Sequence, residues 1–464
     1  MTSILQFLQV VILARILMPE AVGVVALLAI TVSLIDLITD MGMANALIQK
    51  KRISDTDVSS VYWMNVLIGA VFAVAVFFLA EPLAHFYGTP TLVMPMKVLA
   101  LVFLVTPHGM LFRGLLERET RFRAVGVAEG MSGAVMIAAT VVAALCGLGA
   151  LSYAIGRVAS ALVRTISLRI FARNLPYRIR LRLRLRESWG LIRFGAVQTL
   201  DGIVSFAHNS VGALVVGRFV SVGQLGGFNL AFNLAVTVPG TVNSVFVRST
   251  FPSMSRIQDD RTRMVGAYLR LLGVTALVNF PVLIGLAIVA PEAVPLVFGA
   301  QWAWTVPLVQ LLAIGGCIRA LTSPIGSLFL AAGRPGVPLA INVARTIVVL
   351  AGSILGVIMM GPEGAAIALA LGAVVTLALN FIVLKKYFHL GVVPFLRVAF
   401  TPLGYVLPLA IVAFLVRILV KSWGAPDLVT LVLSVLLGAL AFALTLVAAK
   451  EPMMMSAVGR LRRR

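Results

Sequence analysis

Residues 337–386 read VPLAINVARTIVVLAGSILGVIMMGPEGAAIALALGAVVTLALNFIVLKK, and this stretch decides the class of fold. It contains two apolar segments, at about 337–360 and 364–384, with a short Gly-Pro-Glu-Gly turn between them. A helix needs roughly 20 mostly apolar residues to cross the hydrocarbon core of a bilayer. Each segment meets that length, so the sequence predicts two transmembrane helices joined by a tight turn.

The same alternation of apolar segment and short polar gap runs along the whole chain. Of its 464 residues, 60% are hydrophobic and only 12% are charged, whereas a soluble domain has about 25% charged residues. No polar block is long enough for a separate soluble domain. We therefore predict an all-α polytopic membrane protein of about fourteen transmembrane helices. The predicted spans are 3–18, 21–39, 61–80, 94–112, 131–149, 151–172, 195–217, 225–246, 267–290, 306–331, 337–360, 364–384, 398–419 and 427–449.

The basic residues provide an independent test of this topology. The formal net charge is +21, and most of the 38 lysines and arginines lie in gaps that follow even-numbered spans. Such an excess of lysine and arginine is typical of short cytoplasmic loops. We therefore expect a multi-pass protein of the bacterial inner membrane with both termini in the cytoplasm. Because the positive charge follows the topology, no nucleic acid is expected as a partner.

The two cysteines and the first apolar segment indicate which kinds of site and processing to expect. Cys146 and Cys317 both lie inside apolar segments, which predicts neither a disulfide framework nor a thiolate metal site. No cofactor is expected. The first apolar segment begins without a basic stretch before it and lacks a small-residue cleavage site, so no cleavable signal peptide is expected.

The first six spans resemble the next six. RILMPEAVG at 15–23 and RFVSVGQLG at 218–226 occupy equivalent places, as do FYG at 86–88 and VFG at 297–299. Since six is an even number, the two halves have the same orientation, which indicates a parallel repeat about an axis along the membrane normal. The predicted domains are a six-helix lobe at 1–172, a basic cytoplasmic linker at 173–193, a second six-helix lobe at 194–390, and an extra helix pair with a basic tail at 391–464.

Several local motifs carry a resemblance to a known family. They are LARILMPEAVG at 13–23, GMANALIQK at 42–50, FPSMSRIQD at 251–259 and APEAVPLVFGAQW at 290–302. With the span pattern, these motifs resemble the polysaccharide transporter family of the multidrug/oligosaccharidyl-lipid/polysaccharide exporter superfamily. The resemblance implies a pair of six-helix lobes that flips a lipid-linked oligosaccharide, usually carried on undecaprenyl pyrophosphate. Many members carry an acid five positions before the glycine ending span 7, and this chain has Gly212 there, so no coupling role is transferred to that position.

Arginines inside the predicted spans are the first candidates for substrate binding, because a charge at the bilayer centre costs about 2.5–3.5 kcal/mol and needs a partner, water or a function. Arg157 and Arg164 are seven residues apart and share one face of span 6. Arg319 and Arg345 lie in spans 10 and 11. If these side chains face the gap between the lobes, their guanidinium forks suit a pyrophosphate. The alternative is pairing with acids inside a lobe or reaching up to lipid headgroups.

Other polar residues inside the spans supply candidates for coupling and for sugar binding. Asp201 and His208 share one face of span 7, and Asp36 lies in span 2; a carboxylate and an imidazole in a membrane cavity could carry protons. Structural ion pairing is the alternative. The amides of span 8 form one stripe near a predicted kink at Pro239, and they suit either sugar hydroxyls or hydrogen bonds between helices. These amides belong to Asn229, Asn233 and Asn243.

Four other functions are alternatives to a flippase of lipid-linked oligosaccharides. A drug exporter of the same superfamily favours acids in its cavity, whereas basic residues predominate in these spans. A peptidoglycan-precursor flippase differs only by the motifs above. A membrane polymerase or ligase usually needs an extramembrane domain with acids or a nucleophile, and a scaffold needs no intramembrane charges. We therefore expect a transporter and no enzyme, with a lipid-linked oligosaccharide and membrane lipids as partners and polysaccharide polymerase machinery as a candidate one.

Overall fold

The structure, a computed structural model, describes residues 2–40, 53–177, 214–237, 260–334 and 336–449, with single positions at 179, 239, 240, 243, 254, 256 and 257. Over these residues it is helical and contains no strand. The helices are α1 (Thr2–Ile16), α2 (Pro19–Asp40), α3 (Asp55–Tyr87), α4 (Val93–Arg118), α5 (Phe122–Leu145), α6 (Leu151–Phe171), α7 (Val222–Phe232), α8 (Arg261–Phe298), α9 (Val306–Thr322), α10 (Ile325–Ala331), α11 (Gly336–Met360), α12 (Pro362–Phe388), α13 (Val392–Ser422) and α14 (Asp427–Ala448).

Nine helices among the described residues are long and apolar enough to cross a membrane, and two shorter apolar helices lie at Phe7–Ile16 and Pro19–Ser33. The prediction of a polytopic all-helical protein is therefore confirmed. The count of about fourteen spans stays a prediction, because the span predicted at 195–217 lies almost wholly outside the described residues.

The ends of the helices differ from the predicted spans for local reasons. Helix α3 begins at Asp55, six residues before the predicted span, because Ser54 and Asp57 form a reciprocal N-terminal cap. It ends at Tyr87, where Gly88 adopts a left-handed conformation with φ of 63°. The span predicted at 306–331 contains two helices, α9 and α10, which meet at Pro324, a residue without a backbone N–H.

The chain divides into two compact units, Met1–Gly227 and Phe228–Arg464. In the first unit α4 packs against α3 and α6, and α5 packs against α6. The α5–α6 contact depends on Gly156, because a Cβ there would collide with Thr140 and the backbone of Met136. Small residues at such contacts let helix backbones approach closely in a membrane.

The first residues of the predicted linker pack onto this first unit. Leu175, Tyr177 and Ile179 cover a buried cluster from α3 and α4 that includes Val58 and Leu111. The Tyr177 hydroxyl also donates to a carboxylate oxygen of Glu119 at 2.8 Å. Burial, and then this hydrogen bond, raise the pKa of Tyr177. The linker therefore starts as an ordered segment; residues 180–193 lie outside the described part of the chain, and the predicted domain boundaries stay predictions.

In the second unit α8 packs against α9, α13 and α14, and α12 packs against α9 and α11. Helices α11 and α12 form the antiparallel hairpin predicted from residues 337–386, with the turn at Gly361. Gly356 faces Gly364 across the hairpin so closely that a Cβ on Gly356 would lie 2.5 Å from the Gly364 carbonyl oxygen. The hairpin therefore tolerates no side chain at this crossing.

Candidate functional site

Two of the predicted arginines converge in the second unit. Arg319, near the end of α9, and Arg345, in α11, line one cavity of about 20 Å³. This volume accommodates about one water molecule. The remaining lining residues are apolar or glycine: Phe232, Val236, Leu312, Gly315, Gly316, Leu369 and Ala370.

The two arginines carry positive charge into a place where nothing described compensates it. Arg345 is only 8% exposed, and its Nε atom has no hydrogen-bond partner. Arg319 is half-buried, and its positive charge acts on Arg345. Neither arginine forms an ion pair with any residue that the structure describes. Since an unpaired buried charge is costly, this cavity is suited to an anion.

Glycines make the room that this arrangement needs. A Cβ at Gly315 would lie 2.9 Å from the Cβ of Ala370, so α9 and α12 are in close contact beside the cavity. At Gly316 it would lie 3.0 Å from the carbonyl oxygen of Ala235. A Cβ at Gly372 would collide with Val349 and reach to 4.0 Å from Cγ of Arg345. The cavity walls are therefore set by backbone as much as by side chains.

One wall of the cavity comes from a π-helical turn, Asn233–Thr237, which continues α7. Val236 of this turn and Phe232, the last residue of α7, line the cavity together with the two arginines. Such turns are often found where a helix is locally adapted to function. This one precedes Pro239, the predicted kink, whose missing N–H cannot support a regular helical turn.

The predicted amide stripe is hydrogen-bonded within the protein. Nδ2 of Asn233 donates to the backbone oxygen and to Oδ1 of Asn229, at 2.9 and 2.8 Å. Oδ1 of Asn243 accepts from Nδ2 of Asn279 in α8 at 2.6 Å. Asn279 also donates to the Thr275 carbonyl at 2.7 Å. The helix-to-helix alternative therefore describes Asn243, and sugar binding by these three residues stays a prediction.

The other predicted arginines belong to the first unit. Arg157 and Arg164 lie on α6, both half-buried. Each takes part in a polar or electrostatic interaction within the protein. The structure thus brings Arg319 and Arg345 into one cavity, and it places Arg157 and Arg164 on a single helix of the other unit.

The predicted coupling residues lie outside the described side chains. Asp201 and His208 are in the stretch 180–213, and Asp36 is in α2 where only the backbone is described. His108 of α4 is among the histidines that the structure describes. Its Nδ1 atom forms a hydrogen bond of 2.7 Å with the Tyr62 hydroxyl, and the tautomer of the imidazole decides which of the two groups donates. Over the part of the chain that the structure describes, His, Cys, Asp and Glu form no group of three that could hold a metal ion.

One buried acid was missed by the sequence argument. Glu292 of α8 is 1% exposed, and both its oxygens accept from Nε of Arg417 in α13 at 2.8 Å. Nζ of Lys421 lies 3.3 Å from one of these oxygens. The signal was available, since Glu292 follows the predicted span 267–290 by only two residues and Arg417 lies inside the predicted span 398–419, and a charge in such surroundings needs a partner.

The chain is similar to known polysaccharide biosynthesis proteins. The sequence profile of the polysaccharide biosynthesis protein family matches residues 12–307. The chain is 32% identical to the lipopolysaccharide biosynthesis protein WzxC of Escherichia coli (strain K12), over 90% of this chain and 85% of that protein. It is 30% identical to the succinoglycan biosynthesis transport protein ExoT of Rhizobium meliloti (strain 1021), over 67% of this chain and 62% of that protein.

A solved structure of the lipid II flippase MurJ, in an inward closed conformation, shares the fold. Its TM-score is 0.78 at 16% sequence identity, and the match covers 98% of each chain. At that identity the likeness concerns the fold alone. The family profile and the sequence relatives together show that this chain belongs to the polysaccharide biosynthesis protein family.

Proposed function

We propose that this protein is a flippase that moves a lipid-linked oligosaccharide across the bacterial inner membrane. The product would serve the synthesis of an exopolysaccharide, an O-antigen or a capsule. Family membership supports this proposal, as do the names of the relatives, which refer to lipopolysaccharide biosynthesis and to succinoglycan transport. The carrier lipid would be a pyrophosphate such as undecaprenyl pyrophosphate.

The cavity of Arg319 and Arg345 is the observation that carries the proposal. A pyrophosphate presents anionic oxygens that two guanidinium forks can bind by paired hydrogen bonds. The cavity volume of about 20 Å³ is far smaller than such a group. Binding would therefore require its walls to move, and the wall most suited to do so is the junction of α7 with the π-helical turn, which carries Phe232 and Val236.

We propose roles in transport for the remaining predicted residues as well. Arg157 and Arg164 would contact the same substrate as it crosses, and the amides of Asn229, Asn233 and Asn243 would exchange internal hydrogen bonds for sugar hydroxyls. Asp201, His208 and Asp36 would couple transport to an ion. Access would alternate between leaflets as residues 1–172 rock against residues 194–390 in a protein of fourteen spans with both termini cytoplasmic.

The alternatives predict different substrates. A peptidoglycan-precursor flippase is the nearest, because the fold is shared with MurJ. A drug exporter would move small cations, which the two unpaired arginines disfavour. We propose no catalytic step, and so no polymerase or ligase activity.

The test is a leaflet-exchange assay in proteoliposomes. A fluorescent undecaprenyl-pyrophosphate oligosaccharide is placed in one leaflet, and its appearance in the other is followed for wild type, Arg319→Ala and Arg345→Ala. Arg270→Ala is the matched control, since Arg270 is an exposed arginine of α8 outside the cavity. We expect both cavity variants to slow transport and the control to retain it.

Each other outcome changes the proposal in a defined way. If all three variants retain transport, the proposed flippase function stands, but the arginine cavity has no part in substrate binding. Absence of transport for any lipid-linked sugar, together with efflux of small cations, would replace the flippase by a drug exporter.

A further inference from the structure

A second cationic site lies in the second unit, away from the arginine cavity. Arg334, just after α10, places its guanidinium carbon 4.5 Å from the ring centre of Tyr387. Nζ of Lys386 lies 5.5 Å from the same ring centre. Two cations from different segments therefore share one aromatic platform, near the C-terminal end of α12. We call these three residues the Tyr387 platform.

The platform is held in place before any ligand arrives. Phe329, which is fully buried, packs edge-on against the ring of Tyr387 at 5.8 Å and against Phe388 at 5.4 Å. The chain turns at Gly333, which has φ of 70°. The backbone N–H of Arg334 then donates to the Phe329 carbonyl at 2.8 Å, which closes α10. Both the ring and the backbone that carries Arg334 are thus fixed.

The charges of the platform are not neutralised within the described part of the chain. Arg334, Lys385 and Lys386 are exposed, and none of them forms an ion pair with a described residue. Lysines in the last turn of a helix do complement its dipole, which is a sufficient reason for Lys385 and Lys386. That reason does not extend to Arg334, which comes from a different segment and stacks on the ring.

The position of the platform along the hairpin shows where it lies relative to the membrane. The α11–α12 hairpin pairs Gly356 with Gly364 and Gly352 with Ala368, so its open end brings residue 334 level with residue 386. Helices α11 and α12 have 25 and 27 residues, which corresponds to a length of roughly 40 Å at 1.5 Å per residue. This length matches a bilayer with its headgroup regions. The platform therefore lies at a membrane surface, where tyrosine is enriched.

We propose that the Tyr387 platform binds the phosphate of an anionic phospholipid headgroup. A guanidinium stacked on a ring keeps its N–H edge free to donate to phosphate oxygens, and the Lys386 ammonium adds a second charge. This site is separate from substrate transport and does not depend on the flippase function. It would anchor the open end of the hairpin to the lipid surface.

The test is lipid retention by the purified full-length protein, measured by native mass spectrometry in detergent with equal amounts of phosphatidylglycerol and phosphatidylcholine. We expect wild type to retain phosphatidylglycerol preferentially. The preference should fall about five-fold for each cation removed, in Arg334→Gln and in Lys386→Gln. Tyr387→Leu should weaken it while leaving every charge in place.

Lys385→Gln is the matched control, because Lys385 has the same charge at the same helix end but no contact with the ring. Equal losses in Lys385→Gln and Lys386→Gln would replace the site by a general charge effect and overturn the proposal. So would unchanged phosphatidylglycerol retention in the Arg334→Gln/Lys386→Gln double variant. Displacement of the lipid by millimolar inorganic phosphate, without preference between the two lipids, would also overturn it by assigning the site to free phosphate. Thermal unfolding of each variant shows whether the hairpin remains folded.

Discussion

The ion pair between Glu292 and Arg417 yields the sharpest prediction about stability. Replacing Arg417 by Met removes the guanidinium and keeps the length of the apolar side chain, so Glu292 stays buried with Lys421 alone. Removing one partner of a buried pair costs about 3–5 kcal/mol. Here Lys421 remains 3.3 Å away, and the Arg417 side chain is 22% exposed. We therefore expect a smaller loss than that range, about 2–3 kcal/mol.

The cysteines provide the assay. Cys317 is buried in α9, which packs against α8, whereas Cys146 is exposed. In a Cys146→Ser background, the labelling rate of Cys317 by a membrane-permeant thiol reagent reports how often the second unit opens. A loss of 2–3 kcal/mol corresponds to labelling roughly 30- to 150-fold faster for Arg417→Met.

The matched control is Arg270→Met, which removes an exposed arginine of α8 and should label at the wild-type rate. The double variant Glu292→Gln/Arg417→Met should label more slowly than Arg417→Met, because the unpaired carboxylate is gone. The stabilising role of this ion pair is refuted if Arg417→Met labels like Arg270→Met. It is equally refuted if the double variant opens as readily as the single one.

Three further predictions follow from contacts described above. Arg345→Lys keeps the cavity charge but loses the planar fork, and we expect slower transport of a pyrophosphate-linked sugar in the proteoliposome assay, with normal expression. Gly156→Val should separate α5 from α6 and abolish a monodisperse peak in size-exclusion chromatography, whereas Gly126→Val, which has open space around it, should behave like wild type. Ser54→Ala removes the N-terminal cap of α3 and should lower the free energy of unfolding by about 1 kcal/mol, measured by denaturant titration in detergent.

The sequence predicts the helices well where apolar length decides the outcome. Residues 337–360 and 364–384 become α11 and α12 with ends shifted by only a few residues. The ends themselves depend on shorter-range effects. Ser54 and Asp57 extend α3 beyond its apolar core, and Pro324 divides a segment whose hydropathy is continuous.

The candidate site could be predicted only in part, because which side chains meet depends on how the helices pack against one another. The cost of burying charge singled out Arg319 and Arg345 separately, and their meeting in one cavity depends on how α9 and α11 both pack against α12. Asn243 is a residue whose position in the sequence pattern did not reveal its hydrogen-bond partner. Its place on a polar stripe was visible in the sequence, whereas its hydrogen bond to Asn279 required the position of α8.

The Glu292–Arg417 pair also constrains how the protein is made. The two residues are 125 positions apart in the chain, and synthesis proceeds at about 5–20 residues per second, so the acid waits on the order of 10 seconds for its arginine. During that interval the charge of the Glu292 carboxylate has to be stabilised by water, by lipid headgroups or by the insertion machinery. A nascent chain that stops before α13 therefore lacks both of the cations that contact Glu292 in the folded protein.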